Sequence, residues 1–333
     1  MDIVFPPRTD LACLPTPLLH LERLGGELGL DLWIKRDDLT GAALSGNKVR
    51  KLEFLAADAL AEGADTLVTC GAVNSNHARA TAIVAARLGL RSHLLLRGED
   101  VHPPVGNLLL DRLVGAETTF FEPARWIERD ALMDEIIARL ASQGRKGYVI
   151  PEGGSNALGC LGYARMVEEL LVQTHDAGVR IRRIVHAAGS GGTTAGLALG
   201  LAAADHPDTE VVAVAVSDDR AFFERRVGAI LDAAVEAGYI EAAVRAGARF
   251  EIVEGYQGPG YGVTTPEGMA TLAHVARTEG VVLDPIYTGK AMGGLIQEVE
   301  QGRLDREGAT VFVHTGGIFG LFAFDEEIEA LDG

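Results

Sequence analysis

The chain has 333 residues, longer than one hydrophobic core usually sustains, which predicts two lobes. Apolar residues make up 47% and charged residues 23%, an ordinary globular composition that excludes a disordered chain. Thirty Lys and Arg stand against 47 Asp and Glu; the net charge of −17 leaves no basic face for phosphate backbones, so nucleic acid and anionic membranes are not expected partners.

Cys13, Cys70 and Cys160 lie far apart with no C-x-x-C pair, which predicts a reducing compartment, no disulfide framework and no metal site. The opening Met-Asp-Ile-Val-Phe-Pro-Pro has neither a basic nor an apolar leader region. The longest uncharged run, 187–204, holds five Gly and reads as a glycine loop feeding a helix rather than a membrane span. The expectation is a cytoplasmic enzyme with a small-molecule substrate.

In chain order, short β-branched runs alternate with Ala/Leu-rich amphipathic stretches. Strands are predicted over 66–70, 92–96, 118–121 and 148–150, separated by helices over 75–88, 105–114 and 127–142. A second series follows: strand 183–188, helix 193–203, strand 210–216, helices 220–237, 266–279 and 290–301, and strand 310–314. Such alternation means βαβ units and parallel sheets. The two series predict an α/β fold of two open, twisted, mainly parallel sheet lobes that cross near Pro151-Glu-Gly-Gly-Ser155. Ligands of such sheets sit at the carboxyl ends of the strands.

Five stretches carry chemistry. Ser45-Gly-Asn-Lys-Val-Arg-Lys51 holds two of the five lysines of the chain, three apart at a helix start. Lys48 there suits a Schiff-base amine, with Lys51 beside a phosphate, or else both simply face solvent. Cys70 to Arg79 runs from a strand into a helix, so Ser75, Asn76 and His77 form either a carboxylate cradle or a plain cap. Gly189-Ser-Gly-Gly-Thr193, followed by Thr194, offers consecutive backbone donors to a phosphate ester, or is a packing turn. It is neither G-x-G-x-x-G nor a P-loop, which counts against an NAD(P) oxidoreductase using Asp218 or Asp219. Tyr261 and Tyr287 lie in Gly/Pro-rich loops, where each is an acid–base or stacking group or a structural residue. His314-Thr-Gly-Gly317 ends the last strand, where the Thr315 hydroxyl points toward a cleft.

In combination and order, these stretches resemble the fold type II pyridoxal-phosphate enzymes, which are similar to the tryptophan synthase β chain. Pro15-Thr-Pro-Leu18 and Ile34-Lys-Arg-Asp-Asp38 add to the match, which runs over nearly the whole chain. Within that family the chain resembles the D-cysteine desulfhydrase and 1-aminocyclopropane-1-carboxylate deaminase group. One departure is Ser45, where the group usually has Gly.

The resemblance implies pyridoxal 5′-phosphate as cofactor, carried by Lys48, which also moves the substrate proton. It gives the phosphate to Lys51 and to Gly189, Ser190, Gly191, Gly192 and Thr193. It gives the cofactor's 3′-oxygen to Asn76, the substrate carboxylate to Ser75, Asn76 and His77, the substrate side to Tyr261, Tyr287 and Thr288, and the pyridine nitrogen to Thr315. Residues 1–50 with 156–333 are expected to form the large lobe, 51–155 the small one, and the assembly is expected to be a homodimer. Ring-opening deaminases carry Glu after the second tyrosine and Leu before the terminal Gly-Gly, where this chain has Thr288 and Thr315. The expected reaction is therefore α,β-elimination of D-cysteine to pyruvate, ammonia and hydrogen sulfide, with the cyclopropane deaminase and an L-cysteate sulfo-lyase as rivals.

Overall fold

A computed structural model describes residues 2–332, which fold into two sheets. The strands are β1 (Leu18–His20), β2 (Asp31–Lys35), β3 (Thr66–Ala72), β4 (Arg91–Arg97), β5 (Glu117–Phe121), β6 (Gly147–Ile150), β7 (Ile181–Ala188), β8 (Glu210–Ala215), β9 (Glu251–Val253) and β10 (Ala309–Val313). The larger sheet has the order β1-β2-β10-β7-β8-β9 and the smaller β5-β4-β3-β6. Among the described residues only the β1–β2 pair is antiparallel; all other pairs run parallel.

Parallel sheets need both faces covered, so their central strands read as unbroken apolar runs. Thus Ala309–Val313 is buried at every residue, and Thr66–Cys70 likewise. One face of the larger sheet packs Val185, Val214 and Phe312 against Leu272, Met292 and Leu295, from helices Pro266–Glu279 and Thr288–Glu300. The opposite face packs Ile184 and Val311 against Tyr163, Met166 and Leu197, from helices Ala157–Asp176 and Gly192–Ala203. Helices Lys48–Ala61 and Asn76–Arg87 close one side of the smaller sheet through Leu52, Leu55, Leu67 and Val84, and helix Arg129–Ser142 the other through Val68, Met133 and Ile136. Each fully buried Leu or Val of these faces contributes about 1.5–3 kcal/mol relative to exposure.

All the expected strands and helices occur, within a few residues at their ends. Residues 123–128 tighten into a 3₁₀ turn ahead of the helix expected from 127, and the helix expected from 290 starts at Thr288. The sequence pattern missed β1, β2 and β9, and also the 20-residue helix Ala157–Asp176. Gly159 and Gly162 disguise that helix. A Cβ at Gly162 would strike the Arg50 carbonyl and one at Gly159 the Gly154 carbonyl, so both glycines serve close helix packing rather than helix termination.

Candidate active site

The ends of β3, β7 and β10 open onto one cleft between the sheets, and three of the five stretches of chemical interest follow these strands. Its walls include Lys48, Ser75, Asn76, His77, Gly189, Ser190, Gly191, Thr193, Tyr261, Tyr287 and Thr315, drawn from the whole length of the chain.

Lys48 is the first residue of its helix, at the end of a turn in which Gly46 takes a φ of +92°. A side chain at Gly46 would meet the Thr315 carbonyl at 2.8 Å, and the Asn47 amide donates to that carbonyl at 3.0 Å. The lysine turn and the loop after β10 are thus pressed backbone to backbone. Lys48 has no hydrogen-bond or ion-pair partner among the described residues. Burial pulls its amine down to about 8, against a smaller opposite pull from Glu152. An amine about half neutral near pH 8 can act as a nucleophile where an ordinary lysine stays a cation.

One helical turn on, Lys51 leaves the cleft wall. It is 1% exposed, and its Nζ donates to Ser155 Oγ at 3.1 Å and to the Gly153 carbonyl at 3.3 Å. Ser155 Oγ in turn accepts the Gly192 amide at 3.2 Å and lies 2.8 Å from Ser190 Oγ. Lys51 therefore sits under the glycine loop, with Gly192 between it and the cleft. The loop turns through Gly191 at φ +83° into helix Gly192–Ala203, whose first amides lack intrahelical partners. A Cβ at Gly189 would meet the Tyr287 ring at 3.0 Å, and one at Gly192 would meet Ser155 Oγ at 2.6 Å. Only glycine keeps the cradle open.

Ser75 caps helix Asn76–Arg87, its Oγ accepting the Ala78 amide at 3.2 Å. His77 lies 2.9 Å through Nε2 from Thr69 Oγ1, and that hydroxyl donates to the Ile150 carbonyl at 2.7 Å. The hydroxyl proton is spent there, so Nε2 is the donor of that pair, while Nδ1 is buried with no hydrogen-bond partner among the described residues. Burial first, then Lys48 and Lys51, hold this imidazole neutral.

The Tyr261 and Tyr287 hydroxyls touch at 2.6 Å with their rings edge-on. Burial pushes both phenols above their ordinary value. Two protonated phenols sharing one hydrogen bond leave one proton to offer the cleft. The Arg97 guanidinium lies over the Tyr261 ring at 5.0 Å and the Trp126 ring at 4.6 Å, bridging the smaller lobe and the 261 loop.

Thr288 corrects the sequence expectation. It is fully buried and outside the cleft; its hydroxyl donates to Asp284 Oδ1 at 2.6 Å and accepts the Asp284 amide at 2.8 Å. Asp284 also receives the amides of Ile286, Tyr287 and Thr288, so Thr288 shapes the turn that presents Tyr287 instead of meeting substrate. The sequence pattern missed Arg97, Trp126, Glu152 and His186, all of which line the cleft. Glu152 follows Pro151 in the crossing segment, and burial raises its carboxyl. His186 is held at about 4 by burial, with the Ala187 carbonyl on Nδ1 and Thr194 on Nε2.

Residues 9–316 match the family described as pyridoxal-phosphate dependent enzyme. The chain belongs to this family. The enzyme is 46% identical over 329 residues to a D-cysteine desulfhydrase of Klebsiella pneumoniae subsp. pneumoniae, covering 96% of each chain. The solved structure described as an ACC deaminase homologue superposes with a TM-score of 0.89 at 40% identity, covering 98% of this chain and 96% of that one. An O-ureido-L-serine synthase superposes at 0.67 with 19% identity, covering 93% and 92%, which shows the shared fold. The enzyme depends on pyridoxal phosphate, and the site fits that group. An unpartnered amine, a glycine cradle that a Cβ would fill and a neutral hydroxyl at Thr315 border one cleft. The oxidoreductase alternative falls with the same match.

Proposed function

We propose that the enzyme eliminates sulfide from D-cysteine, converting D-cysteine and water to pyruvate, ammonia and hydrogen sulfide. The observation that carries the reading is the unpartnered Lys48 amine, in one cleft with a helix N-terminus and a tyrosine pair; the substrate follows the desulfhydrase relatives. Bound pyridoxal phosphate supplies the electron sink for the pair left at Cα. Lys48 Nζ would hold the cofactor, and its neutral amine would take the Cα proton. The N-terminus of helix 76–87, with Ser75, Asn76 and His77, holds the substrate carboxylate, while the Asn76 amide faces the cofactor's 3′-oxygen. Gly189 to Thr193 hold the phosphate, with the Lys51 charge beneath. The Tyr261–Tyr287 pair delivers its free proton to the departing sulfur. Thr315 meets the pyridine nitrogen as a neutral partner, which suits loss of a good leaving group such as thiolate more than opening of a cyclopropane ring.

In the same reading the small lobe spans 51–155, supported by the membership of β3 to β6 in the smaller sheet. The enzyme works in the cytoplasm as a homodimer. Three free cysteines and the exposed Leu109 and Leu113 of helix Gly106–Leu113 support that assignment. A product assay decides between substrates: D-cysteine should yield sulfide and pyruvate faster than 1-aminocyclopropane-1-carboxylate yields α-ketobutyrate or L-cysteate yields sulfite. Borohydride reduction should fix the cofactor to Lys48; labelling of Lys35 or Lys290 would overturn the site.

A further inference from the structure

Behind the cleft wall a chain of hydrogen bonds starts at the Arg79 guanidinium and ends at Asn76. Asn107, in helix Gly106–Leu113, is fully buried. Its Oδ1 accepts Arg79 Nε at 3.1 Å, and its Nδ2 donates to the Asn74 carbonyl at 2.9 Å. A guanidinium can only donate and a backbone carbonyl can only accept, so these two partners fix which end of the Asn107 amide is which. Asn74 is fixed in the same way: its Oδ1 accepts the Asn107 backbone amide at 3.1 Å and its Nδ2 donates to the Gly320 carbonyl at 3.1 Å. The Asn107 Nδ2 also lies 3.1 Å from Asn74 Oδ1 and 3.0 Å from Asn76, so its two hydrogens are shared among three acceptors, and the Asn76 atom that meets them is the oxygen. The other end of the Asn76 amide, its NH₂, is left to the cleft that Asn76 lines.

We infer that Asn107, anchored by Arg79, is a positioning residue that compels Asn76 to meet the cofactor as a hydrogen-bond donor. The inference rests on the proposed placement of Asn76 at the cofactor's 3′-oxygen and adds which atom is presented and what holds it. A donor stabilises that oxygen as an anion and lowers its hold on a proton. Arg79 extends the same control to the lysine turn, since its Nη1 donates to the carbonyls of Ala43 at 2.6 Å and Ser45 at 3.2 Å.

Asn107→Asp keeps the shape but replaces the inward donor with an acceptor. Asn76 then turns its NH₂ toward residue 107 and its oxygen toward the cleft. In the holoenzyme, the pH midpoint of the visible absorption band should rise, and cofactor affinity of the stripped enzyme should fall about five- to ten-fold, the worth of one hydrogen bond. Asn76→Ala should produce shifts of the same sign, and N107D added to N76A should change neither quantity further. If N107D fails to fold, Asn107→Ala serves in its place, with a smaller rise that again vanishes on the N76A background. An unmoved midpoint in N107D or N107A, or a shift that persists on the N76A background, overturns the inference while the Asn76 placement stands. No effect from N76A itself overturns both.

Discussion

Helix Lys48–Ala61 carries three cations within its first four residues, and its two faces treat them oppositely. Lys48 faces the cleft with no partner among the described residues. Arg50, on the other face, is 1% exposed and bound on all sides. Its Nε and Nη2 clasp the two oxygens of Asp37, each at 2.8 Å; Nη1 and Nη2 reach Glu169 at 3.0 Å; and Nη2 also meets Thr16 Oγ1 at 3.1 Å. Tyr163 Oη donates to Asp37 at 2.7 Å, and Lys35 Nζ donates to Glu169, the Thr16 carbonyl and Gln173. Burial alone would push the Asp37 carboxyl up, but the Arg50 guanidinium overrides it and holds the acid below its ordinary value. A buried charge that is fully partnered specifies structure, whereas one left unpartnered is available for chemistry.

The largest effect that would test this contrast is at Lys48. Lys48→Ala should lower turnover by roughly 10²–10⁴-fold through lost proton transfer alone. In cofactor-free protein its urea midpoint should stay equal to or above that of the wild type, because a desolvated amine has been removed. A K48A protein that unfolds early would place Lys48 with the scaffold instead. Arg50→Leu reverses the pattern. It strands Asp37 and should cost about 3–5 kcal/mol in urea titrations, with borohydride labelling at Lys48 retained in whatever fraction folds.

A subtler contrast lies in pH. In cofactor-free enzyme, acylation of Lys48 should show a midpoint near about 8 instead of the ordinary 10.5. Burial favours the neutral amine in the folded chain, so between these values the unfolded chain holds the extra proton. Stability therefore rises with pH across that window, and Lys48→Met should flatten the rise. The smallest effect concerns the cap of the second cleft helix. Ser75→Ala should cost about 1 kcal/mol by calorimetry, and a neutral result would mean that Ser75 serves the cleft alone.

Sheet alternation was legible in the sequence because buried parallel strands and amphipathic helices have distinct periods. Lys48 stood out through the combination of motifs that resembles the family, since its Gly-Asn-Lys turn alone left a solvent-facing lysine open. The partners of Arg50 and Asp37 were not legible. Glu169 meets Arg50 119 positions away and Tyr163 meets Asp37 across 126, contacts that no local period encodes. Ile34-Lys-Arg-Asp-Asp38 added to the family resemblance, yet Lys35 and Asp37 build the knot behind the helix instead of the cleft. Thr288 misled because it adjoins a cleft tyrosine, while a helix start turns its side chain the other way, onto Asp284. Asn107 carried no signal at all, because an amide on an ordinary amphipathic helix becomes informative only when its two ends can be told apart.

Arg97 lies against one ring from each side of the cleft mouth, and one of those rings belongs to Trp126. The chain has only two tryptophans, and the other, Trp33, lies in β2 with its indole nitrogen on Asp31. A guanidinium stacked on an indole alters that indole's emission, and Tyr261 helps to hold the guanidinium in place. The enzyme thus carries its own optical gauge: any displacement of the 261 loop from Arg97 changes the surroundings of one tryptophan and leaves the other as an internal standard.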